Sequence, residues 1–114
     1  MAFLTTGLID NTAVSGVRPS STLSVLISNN DTVSVTVQIE GFFQSGATKV
    51  FYVQELFALP AGNVAQRNYY ADLEAFEFQF TVNSEAVNIS AWGKDPSGNL
   101  TTAQRVVSQE VNPF

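Results

Sequence analysis

Phe76, Phe78, Phe80 and Val82 alternate with Glu77, Gln79 and Thr81, and Val33, Val35, Val37 and Ile39 alternate with Ser34, Thr36 and Gln38. A period of two sends successive side chains to opposite sides of an extended backbone, so each run predicts a strand with one apolar and one polar face. Strands of that kind belong to antiparallel sheets that cover one face and leave the other in water. The chain is therefore expected to be all-β. With 114 residues, 45% of them hydrophobic and nine of them Phe, it is long enough for one packed core.

Turn signals divide the rest. Asp10 to Ser21 is rich in small and polar residues with Gly16 and Pro19, which reads as a connector, and the body is expected to begin near Thr22. Leu23, Val25 and Ile27 form a first strand, and Ser28-Asn29-Asn30-Asp31 predicts a hairpin turn into Val33–Ile39. Gly41 to Ala47 closes that strand. Lys49–Phe57 reads as a strand buried on both faces, stopped by Leu59-Pro60-Ala61-Gly62-Asn63. Gln54–Leu59 has a short helical turn as its alternative. Val64–Tyr70, Phe76–Val82, Val87–Trp92 and Leu100–Val107 complete the strands, and Tyr69, Leu73 and Phe76 also fit helical spacing. Asp95-Pro96-Ser97-Gly98-Asn99 is a tight turn whose Asp can accept hydrogen bonds from turn amides. About seven or eight short strands separated by turns predict a single β-sandwich, immunoglobulin-like or jelly-roll-like, with a small barrel as its rival. The organisation expected is residues 1–21 as an N-terminal segment and connector, 22–110 as the sandwich and 111–114 as a tail.

Composition removes whole classes of function. With no His and no Cys, the chain lacks the residues behind most nucleophilic, proton-shuttling and transition-metal chemistry near neutral pH. No disulfide framework is open to it. Ten acids against five bases give a net charge of -5, the wrong sign for a nucleic-acid or anionic-lipid surface. The first ten residues carry neither a basic region nor a long apolar run, so a signal peptide and a membrane span are not expected. That places the protein in the cytoplasm or in an outer layer reached by another route.

Each candidate chemistry has a plainer alternative. Asp72, Glu74 and Glu77, with Glu85 and Asp95, supply oxygen ligands for Ca²⁺, but no spacing matches a calcium loop and a solvated acidic strand entry is the reading taken. The same carboxylates as a glycosidase pair would need a cleft and a separation of about 5 to 9 Å. No metal or other cofactor is expected. Lys94 could condense with an Asn beside a carboxylic acid, although a salt-bridged or snorkelling Lys is the simpler expectation. Trp92, Tyr69 and Tyr70 are candidate ligand-binding aromatics. Trp92 lies on the opposite side of its strand from Val87, Ile89 and Ala91, yet large aromatics dominate small sandwich interiors, so it is assigned to the core. The Asn-x-Ser/Thr sequons at Asn30, Asn88 and Asn99 matter only in a secreted chain.

The amino-terminal end carries the more specific expectation. Phe3, Leu4, Leu8 and Ile9 are apolar residues set apart from the body by the connector. Such an arm can add a strand to the sheet of another copy, or serve as the first strand of its own sandwich.

Thr6-Gly7-Leu8-Ile9, Val33 to Ile39, Val53-Gln54-Glu55-Leu56-Phe57, Ala75 to Phe80 and Trp92-Gly93-Lys94 together resemble the small β-sandwich spore-surface proteins of Bacillus-type endospore formers, including endospore-appendage pilins and exosporium-associated proteins. The resemblance implies a non-enzymatic subunit, made without a signal peptide, that assembles with copies of itself into a fibre or layer on the spore surface. The disulfide-stapled appendage pilins carry Cys in an N-terminal connector. This chain has none, so assembly would depend on strand addition and packing. Binding of a glycan or a protein partner by a monomer, as in an adhesin or a phage decoration protein, is the alternative.

Overall fold

The computed structural model describes residues 2–104 and 106–108. Its strands are β1 (Ala2–Thr5), β2 (Ile9–Asp10), β3 (Thr22–Asn29), β4 (Val35–Ser45), β5 (Thr48–Leu59), β6 (Val64–Tyr70), β7 (Ala75–Val82), β8 (Val87–Lys94), β9 (Leu100–Gln104) and β10 (Val107–Ser108). They form two antiparallel sheets. The first runs β10-β1-β7-β4-β5, with β2 also paired to β7, and the second runs β6-β3-β8-β9. The protein is a β-sandwich. Two of the ten strands among the described residues have only two residues, which is why the count exceeds the seven or eight expected.

Alternation decides which side chains meet between the sheets. Phe76, Phe78, Phe80 and Val82 of β7 and Val35, Val37 and Ile39 of β4 face Leu23, Val25 and Ile27 of β3 and Val87 and Ala91 of β8. Burying one such large side chain contributes about 1.5–3 kcal/mol. Backbone approach is close at Gly41, where an added Cβ would lie 2.8 Å from the Phe78 ring and 2.9 Å from Val53. The same place carries a bulge: Gly41 pairs with Val53 and Phe42 with Phe51, leaving Tyr52 as the extra residue.

Two local expectations are corrected, and the helical alternative is set aside. β3 and β4 are not a hairpin, since β3 pairs with β6 and β8 while β4 pairs with β5 and β7. The Ser28–Asp31 turn carries the chain from one sheet to the other. Asn29 fixes that crossing: its side-chain amide donates to Val33 O, Leu59 O and Pro60 O at 2.9–3.1 Å, and its Oδ1 accepts from Asp31 N. β5 is not buried on both faces, because it pairs only with β4 among the described residues and exposes Phe51, Gln54, Leu56 and Ala58. No helix occurs among the described residues. Gln54–Leu59 is strand, and a bend at Leu73–Glu74 takes the place of helical spacing near Tyr69.

The Val33–Ile39 strand is displaced, since β4 starts at Val35, leaves Val33 exposed and runs through the expected closing segment to Ser45; other boundaries fall closer to expectation. β6 spans Val64–Tyr70, β7 adds Ala75 to the expected strand, and β8 runs on to Lys94. Asp95 Oδ1 accepts from the amides of Ser97 and Asn99 at 3.0 and 2.9 Å, and Gly98 takes φ +84° to close that turn. The Leu100–Val107 strand is divided: β9 lies in the second sheet and β10 in the first. The expected tail, residues 111–114, lies outside the described residues.

Candidate functional site

The amino-terminal residues supply the partner for the outer edge of β7. Ala2, Phe3, Leu4 and Thr5 pair with Val82, Thr81, Phe80 and Gln79, and Ile9 and Asp10 pair with Phe76 and Ala75. From Thr5 to Ile9 the chain advances four positions while β7 advances three, so one residue is extra. Gly7 absorbs it at φ +66°, and Thr6 completes the ladder by donating its N–H to Phe78 O and accepting from Phe78 N through Oγ1, both at 3.0 Å. The extra residue switches which positions face inward, and the four candidate assembly residues divide accordingly. Leu4 and Ile9 pack on the core, while Phe3 and Leu8 are exposed.

Asn11 ends this segment as a lock. It is buried, and its side-chain amide lies 2.8 Å from Ser20 O, 2.8 Å from Ala71 O and 2.9 Å from Leu73 O, while its Oδ1 accepts from Ser20 N at 2.9 Å. Its own N–H donates to Glu74 O. After it, residues 12–17 and Pro19 are exposed, and Val14 and Val17 bridge each other across Ser15-Gly16.

A carboxylate holds the arm from the outer face of the sheet. Glu77 is only 7% exposed; its Oε1 lies 2.7 Å from Lys49 Nζ, and its Oε2 accepts from Thr5 Oγ1 at 2.6 Å and from Gln79 Nε2 at 3.2 Å. The Lys49 ammonium also sits 5.1 Å from the Phe42 ring centroid. Burial raises the pKa of Glu77, but the hydrogen bonds from Lys49, Thr5 and Gln79, with the Lys49 charge, outweigh it and hold the carboxyl below its ordinary value.

The second sheet separates the three candidate aromatics. Trp92 is 37% exposed on the outer face, which corrects its assignment to the core: Ala91 and Gly93 on either side are buried, and alternation outweighs size. Tyr70 is 61% exposed on the same face. Tyr69 points between the sheets instead, stacked 4.9 Å from Phe78, with its hydroxyl donating to Glu55 Oε1 at 2.6 Å. Glu55 also accepts from Arg67 Nε at 2.6 Å, and that guanidinium lies 4.3 Å from the Phe57 ring. Burial raises the Tyr69 pKa, and donation to charged Glu55 raises it further. For Tyr52, whose hydroxyl donates to Tyr70 O, burial with the nearby Tyr70 pushes the pKa up to about 12. These groups close the mouth between β5 and β6 and are structural.

The acidic candidates do not converge. Asp72 and Glu74 both face Arg18, at 3.4 and 3.0 Å, whereas Glu77 belongs to the Lys49 and Thr5 cluster. No group of three or more potential metal ligands forms among the described residues. Lys94 lies on the outer face of β8 opposite Thr22 and Leu100. Asn30, Asn88 and Asn99 are all exposed.

Comparison of the chain with known protein families, curated proteins and solved structures returned no match. Asn11 and Asn29 are the buried polar anchors that the sequence does not reveal. Each stands in a polar, turn-rich stretch, and the carbonyls that it satisfies come from segments distant in sequence, so no local pattern announces it.

Proposed function

We propose that this chain is a non-enzymatic structural subunit that donates its residues 2–11 to a neighbouring copy, building a fibre or surface layer of the kind implied by the spore-surface resemblance. One observation carries the reading. Outside its own turn and the adjoining Thr12, the hydrogen-bond and strand partners of the segment lie at Arg18 and beyond: β7, β10, Ser20, Ala71, Leu73 and Glu74. The seat is thus made by residues from Arg18 onward, none of them in the donated segment, and a second copy offers an identical seat.

The connector gives the reach. Residues 12–17, between Asn11 and the first seat residue Arg18, span about 20 Å when fully extended. Donation from each copy to the next is a head-to-tail contact, which closes into a ring or continues as a fibre according to the rotation it imposes. A chain with only 13% charged residues offers little like-charge repulsion to lateral packing.

Light scattering coupled to size exclusion tests this. The full chain is expected to form particles larger than a monomer, and a chain lacking residues 1–11 is expected to remain monomeric and to bind a synthetic peptide of residues 1–11. Particles of unchanged size from the truncated chain would refute the proposal, as would a full chain that is monomeric at every concentration.

A further inference from the structure

The outer face of the second sheet carries two exposed aromatic residues on either side of a polar floor. β3 is central, flanked by β6 and β8; its outward residues beside the two rings, Thr22 and Ser24, are short and polar, while Leu26 and, on β6, Val64 stand exposed farther along the same face. Tyr70 of β6 stands beside Thr22, and Trp92 of β8 stands beside Ser24, whose other neighbour is Asn68. Ser24 is buried beneath its neighbours, with Gln66 Nε2 3.4 Å from its hydroxyl oxygen. Two strand spacings across and two residues along place Trp92 and Tyr70 roughly 12 Å apart at Cα, a span of roughly two or three linked pyranose rings.

We infer that this face binds a neutral oligosaccharide, with Trp92 and Tyr70 stacking on sugar rings and Thr22, Asn68 and Gln66 meeting hydroxyl groups between them. Three features favour that occupant. The side chains lying between the two rings, Thr22, Ser24 and Asn68, are hydrogen-bonding ones, and the exposed apolar Leu26 and Val64 lie toward the other end of the face. Tyr and Trp present an apolar ring with a polar handle, which suits a ligand that is apolar on its C–H faces and polar at its rim. Finally, Lys94 is the only charged side chain among the described outward residues of β3, β6 and β8, so the face matches an uncharged polar ligand. The arm seat is on the other sheet, and the inference stands whether or not strands are exchanged.

Trp92 is the only Trp in the chain, so its emission reports this face alone. Hexamers of β-1,4-linked glucose and of β-1,4-linked N-acetylglucosamine would be titrated into the full chain, with polygalacturonate as the charged comparison, and affinities checked by calorimetry. A saturable emission change with a neutral hexamer is expected. Trp92→Ala and Tyr70→Ala should each weaken calorimetric binding about tenfold, and Phe51→Ala on the opposite sheet should leave it unchanged. Several results would overturn the inference: no saturable response to either neutral hexamer, preference for polygalacturonate, or equal loss in Phe51→Ala. An emission change that follows protein concentration without sugar would also overturn it, making the face a contact between copies.

Discussion

Thr5 on the terminal strand donates to Glu77 on the central strand at 2.6 Å, so the carboxylate that pairs with Lys49 also grips the arm. The folded pKa of Glu77 is depressed. Its stabilising contribution is therefore present above the unfolded value near 4.5 and is lost as pH falls through the folded value. Glu55, pulled up by burial but held down more strongly by Tyr69 and Arg67, acts in the same direction. Thermal unfolding should be nearly level between pH 7 and 5 and should weaken below about 4.5. Glu77→Gln should be less stable at pH 7 and less sensitive to acid, as measured by melting temperature across that range.

Replacing Asn11 by Ala takes the side-chain partner from Ser20 O, Leu73 O and the Ser20 amide, while Ala71 O keeps its bond from Leu73 N. A loss of about 2–3 kcal/mol is expected from the buried unsatisfied groups. Urea denaturation measures it, and amide exchange in β1 and β2 should rise more than in β3 if Asn11 locks the arm.

Gly41→Ala forces a methyl against Phe78 and Val53 at under 3 Å. The expected loss is about 1–3 kcal/mol from overpacking, and a melting temperature within a degree of the parent would contradict the packing described.

Phe78→Ala removes a fully buried ring that contacts Tyr52, Tyr69 and Phe76. A cost of about 3–5 kcal/mol is expected. In contrast, Phe51→Ala, on the exposed outer face, should cost far less, and the difference between the two in denaturant midpoint is the measurement.

The sheet-forming segments were legible because a one-sided strand writes its burial into every second residue: β6, β7 and β8 fall close to where alternation puts them. Pairing was not. Ser28-Asn29-Asn30-Asp31 has the composition of a hairpin turn, yet the side chain of Asn29, bonded to Leu59 and Pro60 about 30 positions away, makes it a crossing between sheets. Val50 to Val53 reads as doubly buried because a bulge inserts Tyr52 and because Phe42 and Phe51 cover one another on the wet side, 5.4 Å apart. Trp92 was misplaced by weighting volume over parity. The apolar residues of the arm were visible, but the seat was not, since it is assembled from Arg18, Ser20 and residues 71–82 and 107–108.

Strand exchange can be read directly because the chain has no Cys. Phe3 and Thr81 are register partners, within disulfide reach. Chains carrying only Phe3→Cys and only Thr81→Cys would be mixed, assembled and oxidised, then separated under denaturing conditions. Donation between copies predicts covalent heterodimers of the two variants, and a ladder of higher species from the double variant. A double variant that closes only on itself, with no heterodimer from the mixture, would contradict the account.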